Sequence, residues 1–272
     1  MSPSDDLEII ASSAADFGAV EIAHTRFELR VRLPVPLADG RSHTYRLVIT
    51  VFGGVATARE EESHLLPAFC PERHINRDGS FCLFWRAVDD IVIDNVLAAR
   101  MWWETLFRFL QQQVRAARLR HWPDTKGRAH GEKAAVHQMR AERAAGRLGG
   151  PFPDNLADGR LTVEVSNCSA HGPAVRLLRN GRRLYSVWRR DRCVVNQRRP
   201  CLCPKGARRR PVVLQSCGDH GRAATDLALE LQSMAEEERR FWKAFDGAQC
   251  CGTMDGCPLA NTETCVSAER AG

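Results

Sequence analysis

Nine of the eleven cysteines fall between Cys168 and Cys265, after an amino-terminal half that holds only Cys70 and Cys82. So uneven a distribution argues against one uniform core and predicts two parts, the second held together by something besides apolar packing. An odd number of cysteines cannot all pair, and the opening stretch MSPSDDLEII has acids where a secretory leader carries positive charge. Thiols or metal ligands in a cytoplasmic chain are therefore expected rather than a disulfide framework. No window approaches the roughly 18 consecutive apolar residues of a membrane-spanning helix, so no membrane partner is expected.

The first part reads as helix, then strands, then helices. Residues 5–16 form an amphipathic helix pattern with acids in the first turn, where the helix dipole favours them. Phe27, Leu29, Val31 and Leu33 alternate with charged residues over 26–35, the period of a half-buried strand. Asp39-Gly40 marks a turn into a second strand over 44–52, and Gly53-Gly54 a turn into a third over 55–59. This is an antiparallel meander. An irregular stretch runs from Pro67 to Trp85, and Asp94 is the predicted cap of a helix over 95–119. Val96, Leu97, Trp102, Leu106, Phe109, Leu110 and Val114 define one stripe of that helix, with Trp102 and Trp103 read as core. A second helix is predicted over 132–147, and Gly149-Gly150-Pro151 with Pro153 marks a linker. The fold class is α+β. The predicted division is a first domain over 1–148, a linker over 149–159 and a small cysteine-rich domain over 160–272, with a helix over 225–245.

In the second domain Cys168, His171, Cys193, Cys201, Cys203, Cys217 and His220 form one group of ligand types, and Cys250, Cys251, Cys257 and Cys265 another. Four thiolate or imidazole ligands fill a tetrahedral zinc site, so structural zinc is the expected cofactor of this region. The spacings match no standard finger, and reduced thiols in a small core, or redox chemistry, stay open as alternatives. Residues 176–210 hold thirteen Lys or Arg against one acid, Asp191, within a chain of net charge +6. Such a block can bind nucleic acid or another acidic surface, or be a solvated face.

The stretch CPERHINRDGSFCLFW (70–85) concentrates chemistry in a loop. Cys82 can be a small buried hydrophobe, a zinc ligand beside Cys70 and His74, or a thiol presented for reaction. Cys70 fits packing beneath the loop.

HINRDGSFCL (74–83), with its Asp78-Gly79 turn, apolar Phe81, Cys82 and Leu83, resembles the active-site segment of ubiquitin-conjugating enzymes. Aligned on Cys82, the family's His-Pro-Asn tripeptide falls on Glu72, Arg73 and His74, so His74 stands at the Asn position. The resemblance covers about residues 1–148 and is strongest to bacterial ubiquitin-conjugating-like proteins with a cysteine-rich carboxy-terminal region. It implies a transferase that carries a ubiquitin-like protein as a thioester on Cys82, with His74 at the oxyanion or organising the loop. Asp89, Asp90 and Asp94 are candidates to take the incoming amine's proton, and His130 a candidate to face the same cleft. The implied partners are a ubiquitin-like protein, an adenylating activating enzyme and a deconjugating metalloprotease, in operons linked to phage defence. The rival reading is a binding module of the same fold without transfer activity, whose basic cysteine-rich region meets nucleic acid or an acidic protein.

Overall fold

Alternation of Leu29, Val31, Leu33 and Val35 into the core organises the first sheet. The computed structural model describes residues 3–37, 39–62, 64–85, 91–123, 129–166, 172–195, 199–201 and 212–260. Two units emerge: Met1–Asp124 with Gly247–Gly272, and Thr125–Asp246.

In the first unit α1 (Pro3–Ser12) and a 3-10 turn (Ala14–Phe17) precede an antiparallel sheet. Its strands run β1 (Val20–His24), β2 (Leu29–Pro36), β3 (Ser42–Phe52) and β4 (Val55–Glu60), in that spatial order. The meander is as expected, with β1 added at the edge. Phe27 departs from its predicted inward place and is 65% exposed. The Thr25 hydroxyl accepts from the Phe27 and Glu28 amides, making a turn between β1 and β2 that throws Phe27 outward.

Helix α2 (Val96–Leu119) covers the sheet. Its cap is Asn95 rather than Asp94: the Asn95 side chain accepts from the Ala98 amide at 3.0 Å, and Asp94 instead accepts from the Asn95 amide group. Trp102, Trp103, Leu106, Phe109 and Leu110 are buried, whereas Val96 and Leu97, expected in the same stripe, are exposed. The two indole N–H groups donate to the Ala56 and Ile10 carbonyls, so both large rings are buried without an unmet donor.

The second unit begins with α3 (Glu132–Leu148) and α4 (Phe152–Ala157). An antiparallel sheet comes next, of β5 (Leu161–Ser166), β6 (Ala174–Arg179), β7 (Arg182–Trp188) and the two-residue β8 (Cys193–Val194), and then α5 (Gly218–Lys243). The boundary thus falls near Asp124, not after residue 148. Ala141, Ala144, Ala145 and Leu148 of α3 share one core with Leu227, Ala228 and Leu231 of α5, so α3 folds with the second unit. The expected linker contains α4, whose Phe152 is buried in that core. Tyr185 donates to the Ala224 carbonyl at 2.9 Å, and burial pushes its phenol pKa up. Among the described residues no helix is long and apolar enough to cross a membrane.

Candidate functional site

The loop ending at Cys82 is stitched to the sheet edge. Ser80 bridges Arg59 of β4, and the Phe81 amide donates to the Ala58 carbonyl at 2.9 Å. Within the loop, Gly79 takes φ +76, the Asn76 amide donates to the Ser80 carbonyl, and the Asp78 carboxylate accepts from the Ser80 amide and hydroxyl. The Ser80 hydroxyl bond holds the Asp78 carboxyl below its ordinary pKa. Ile75 and Phe81 are buried, and the Phe81 ring lies 4.9 Å from that of Phe109. Cys82, the next residue, is exposed. Its place is set by the residue before it: an apolar anchor fixes the main chain and leaves the thiol outside.

His74 helps from the other side. It adopts a left-handed backbone (φ 55), uncommon for a non-glycine residue and a cost that the surrounding packing holds in place. Its carbonyl accepts the Cys82 amide at 2.8 Å, and its ring meets Trp122 edge-on at 4.8 Å. The structure therefore places Cys82 and His74 side by side along the main chain.

Arg73, which the sequence did not single out, is the loop's interior support. It is 2% exposed; its guanidinium donates to Gln113 Oε1 at 2.8 Å and the Gln113 carbonyl at 3.1 Å, and Gln113 Nε2 donates back to the Arg73 carbonyl at 2.6 Å. Loop and α2 are joined by that reciprocal set. The segment from Gly247 returns to this same unit: Arg120, at the end of α2, pairs with Asp255 at 2.6 Å and accepts the Asp255 amide on its carbonyl.

The other candidates scatter. Asp89, Asp90, Cys168, His171, Cys203 and Cys265 lie outside the described residues. His130 belongs to the second unit, where its Nδ1 is 3.1 Å from Glu238 and its ring meets Phe241 and Trp242. The bond from His130 holds the Glu238 carboxyl below its ordinary pKa. Cys193, on β8, joins no cluster of three ligand groups among the described residues. Cys250, Cys251 and Cys257, expected with the cysteine-rich domain, instead lie in the first unit as members of two pairs, Cys251 with Cys70 and Cys250 with Cys257. No third ligand group joins either pair among the described residues. Expecting Cys70 only to pack beneath the loop is correct for its burial and misses its sulfur partner.

One metal-type cluster does form. Cys201, Cys217 and His220 converge with their ligand atoms within 4.8 Å of one another. His220 Nδ1 is 3.4 Å from Cys201 Sγ and 3.7 Å from Cys217 Sγ. Tetrahedral zinc, with Zn–S near 2.3 Å and Zn–N near 2.05 Å, places sulfur and nitrogen ligands about 3.6 Å apart, so these residues fit such an ion. Cys217 precedes α5, His220 lies in its first turn, and Cys201 is held by its amide on the Val212 carbonyl. The close approach has one steric requirement. A Cβ on Gly221 would meet the Leu214 carbonyl at 2.8 Å. Gly221→Ala is therefore expected to destabilise the second unit by about 1–3 kcal/mol, read from its urea midpoint, while Gly146→Ala, which meets nothing within 4 Å, is expected to be neutral or stabilising.

The arginine block divides by use. Arg199 donates to the Leu184 carbonyl, Arg189 faces Glu236 at 3.6 Å, and Arg192 faces Asp226 at 3.5 Å. Arg179 and Arg182 oppose each other across the turn between β6 and β7, beside the exposed Arg183. Like charges directly opposite each other weaken a hairpin, so the block's charges repel at this tip.

The family model described as Prokaryotic E2 domain matches residues 17–124, and that described as Cysteine-rich domain, C-terminal to E2 domain, matches residues 129–259. The second match runs past Asp246 into the segment that packs with the first unit. The chain matches no curated protein and no solved structure.

Proposed function

We propose, from the premise that the chain belongs to the prokaryotic E2-domain proteins with a cysteine-rich domain C-terminal to the E2 domain, that it carries a ubiquitin-like modifier on Cys82. The single observation that most supports this reading is the exposed Cys82 thiol, one residue after the buried Phe81 and held by its amide on the His74 carbonyl.

The modifier arrives as an activated carboxyl group from an adenylating activating enzyme. Cys82 sulfur attacks that carbonyl, the donor's leaving group departs, and a thioester forms; an amine then attacks, and the Cys82 thiol is the leaving group. A thioester suits the task because it is reactive toward amines yet outlives the search for one in water. His74 positions the Cys82 main chain. Asp89 and Asp90, seven and eight residues after Cys82, are the carboxylates we assign to take the amine's proton, and His130 stays a candidate to face the same cleft. The resemblance that motivates the reading supplies the remaining actors, a deconjugating metalloprotease and a bacterial pathway of phage defence.

Cys201, Cys217 and His220 would hold a zinc ion, and Cys203 is the nearest remaining thiol in sequence to complete four ligands. The ion's contribution there is structural, tying the start of α5 to the segment around Cys201.

Incubation with the activating enzyme, a ubiquitin-like protein and ATP, followed by intact mass without reductant, tests the carrier role. One modifier mass that disappears with thiol is expected; no adduct, with the activating enzyme itself charged, overturns the reading and leaves the binding module.

A further inference from the structure

Cys251 has no part in either site assigned above. Its Sγ lies 3.0 Å from that of Cys70, 181 residues earlier in the chain, and both are free thiols. That is about 1 Å beyond the roughly 2.05 Å of a disulfide bond, within reach of a small side-chain movement. The two differ in access: Cys70 is buried behind the loop, and Cys251 is partly open to solvent.

The surroundings are those of a thiolate. Arg73 is buried, and its hydrogen-bond partners, Gln113 Oε1, the Gln113 carbonyl and Thr253 Oγ1, are all uncharged. The ionisable groups near it are Cys70, Cys251 and the Tyr45 phenol. A buried guanidinium calls for a counter-charge, and a thiolate at Cys251 supplies one. The Cys251 sulfur also lies 3.1 Å from Thr253 Oγ1. The sulfur–sulfur hydrogen bond with Cys70, helped by Thr253 and Arg73, holds the Cys251 pKa below the ordinary thiol range; the same bond and burial push Cys70 up. An accessible sulfur 3.0 Å from a buried one, beside a buried guanidinium, is the arrangement of a peroxide-reactive cysteine and its resolving partner.

We propose that Cys251 is a second reactive thiol of this chain, a modification site for hydrogen peroxide, and that Cys70 resolves it by closing a Cys70–Cys251 disulfide. The Cys251 thiolate attacks one peroxide oxygen; the O–O bond breaks, Cys251 becomes a sulfenic acid, and the other oxygen leaves as hydroxide and is protonated to water. Cys70 sulfur then attacks Cys251 sulfur, the S–O bond breaks, and the hydroxyl leaves as water with the Cys70 proton. Two thiols lose two electrons in total, and one peroxide is reduced to two waters. The new bond pins the segment from Gly247 onward to the residue that precedes the turn ending at His74. None of these steps depends on acyl transfer at Cys82.

The test uses the full-length, reduced protein with reductant removed, treated with one equivalent of hydrogen peroxide and digested under non-reducing conditions. The peptide holding Cys70 is expected to become linked to that holding Cys251 at least ten-fold faster than the Cys82 thiol is lost. Cys251→Ser is expected to abolish the link, and Cys70→Ser to leave a sulfenic acid on Cys251 that a cyclic diketone probe captures. A Cys70 peptide still free when Cys82 has been oxidised, or fragment spectra that put the link on Cys250 or Cys257, overturns the proposal. Both results come from the wild-type chain, so the test decides the matter even where a variant does not fold.

Discussion

Cys82→Ser is expected to form an adduct with the modifier that survives thiol, where the wild-type adduct does not. Serine keeps the geometry of the position but replaces a thioester with an oxygen ester, a poorer acyl donor that free thiol does not displace. A serine hydroxyl is also a far weaker nucleophile than a thiolate, so loading should slow by on the order of 10²-fold or more. Discharge onto an added amine should slow as well, and the adduct should accumulate on long incubation. Because Cys82 is exposed and Phe81 carries the burial, the substitution should leave the unfolding midpoint within about 0.5 kcal/mol of wild type. A thiol-resistant adduct on a chain of unchanged stability is readable by intact mass and urea titration. A Cys82→Ser chain whose adduct is still cleaved by thiol would place the acyl group on another cysteine.

The second large effect concerns the second unit. Cys217→Ser should remove about one metal ion per chain by elemental analysis and lower that unit's thermal midpoint by on the order of 10 °C. Structural zinc in peptide-sized sites is associated with roughly 10–16 kcal/mol of binding free energy at neutral pH. Only part of that should be lost as stability here. Val175, Leu177, Tyr185, Val187, Leu214 and Leu227 form an apolar core that also contributes to this unit's stability. Loss should instead be greatest where the ligands hold the chain: amides of Cys201, Leu214 and Gly221, bonded to Val212, Arg199 and Cys217 carbonyls, are expected to lose hydrogen-exchange protection first. Since the ligands bind deprotonated, acidification should release the metal and give the same pattern in wild type. A metal-free wild-type chain with those amides fully protected would contradict the zinc assignment.

How far the sequence could be read depends on the range of the interactions. The meander was legible because Leu29, Val31 and Leu33 alternate locally, and the Cys82 loop because its turn and anchor sit within ten residues of the thiol. The cap was misplaced by one residue because Asp94 and Asn95 are both good capping types, and only the backbone decides between them. The edge strand β1 was invisible, since its residues face solvent and lack an apolar alternation. The boundary failed for a different reason: α3 is anchored by alanines, small residues whose packing against α5 leaves little periodic signal in the sequence. Long-range pairs were the least legible. Arg73 finds Gln113 forty positions away, and Cys70 finds Cys251 across most of the chain. Grouping cysteines by nearness in sequence therefore located the cluster around Cys217 and assigned Cys251 to a metal set that the described residues do not form.

Cys82 is the residue expected to bear the acyl group. The most direct measurement is to charge the wild-type chain, digest it under non-reducing conditions, and find which cysteine peptide carries the modifier's carboxy terminus. The modifier is expected on the tryptic peptide from Asp78 to Arg86, whose single thiol is Cys82. A modifier found on the peptide of Cys250 and Cys251, or on Cys70, with the Cys82 peptide unmodified, would contradict it.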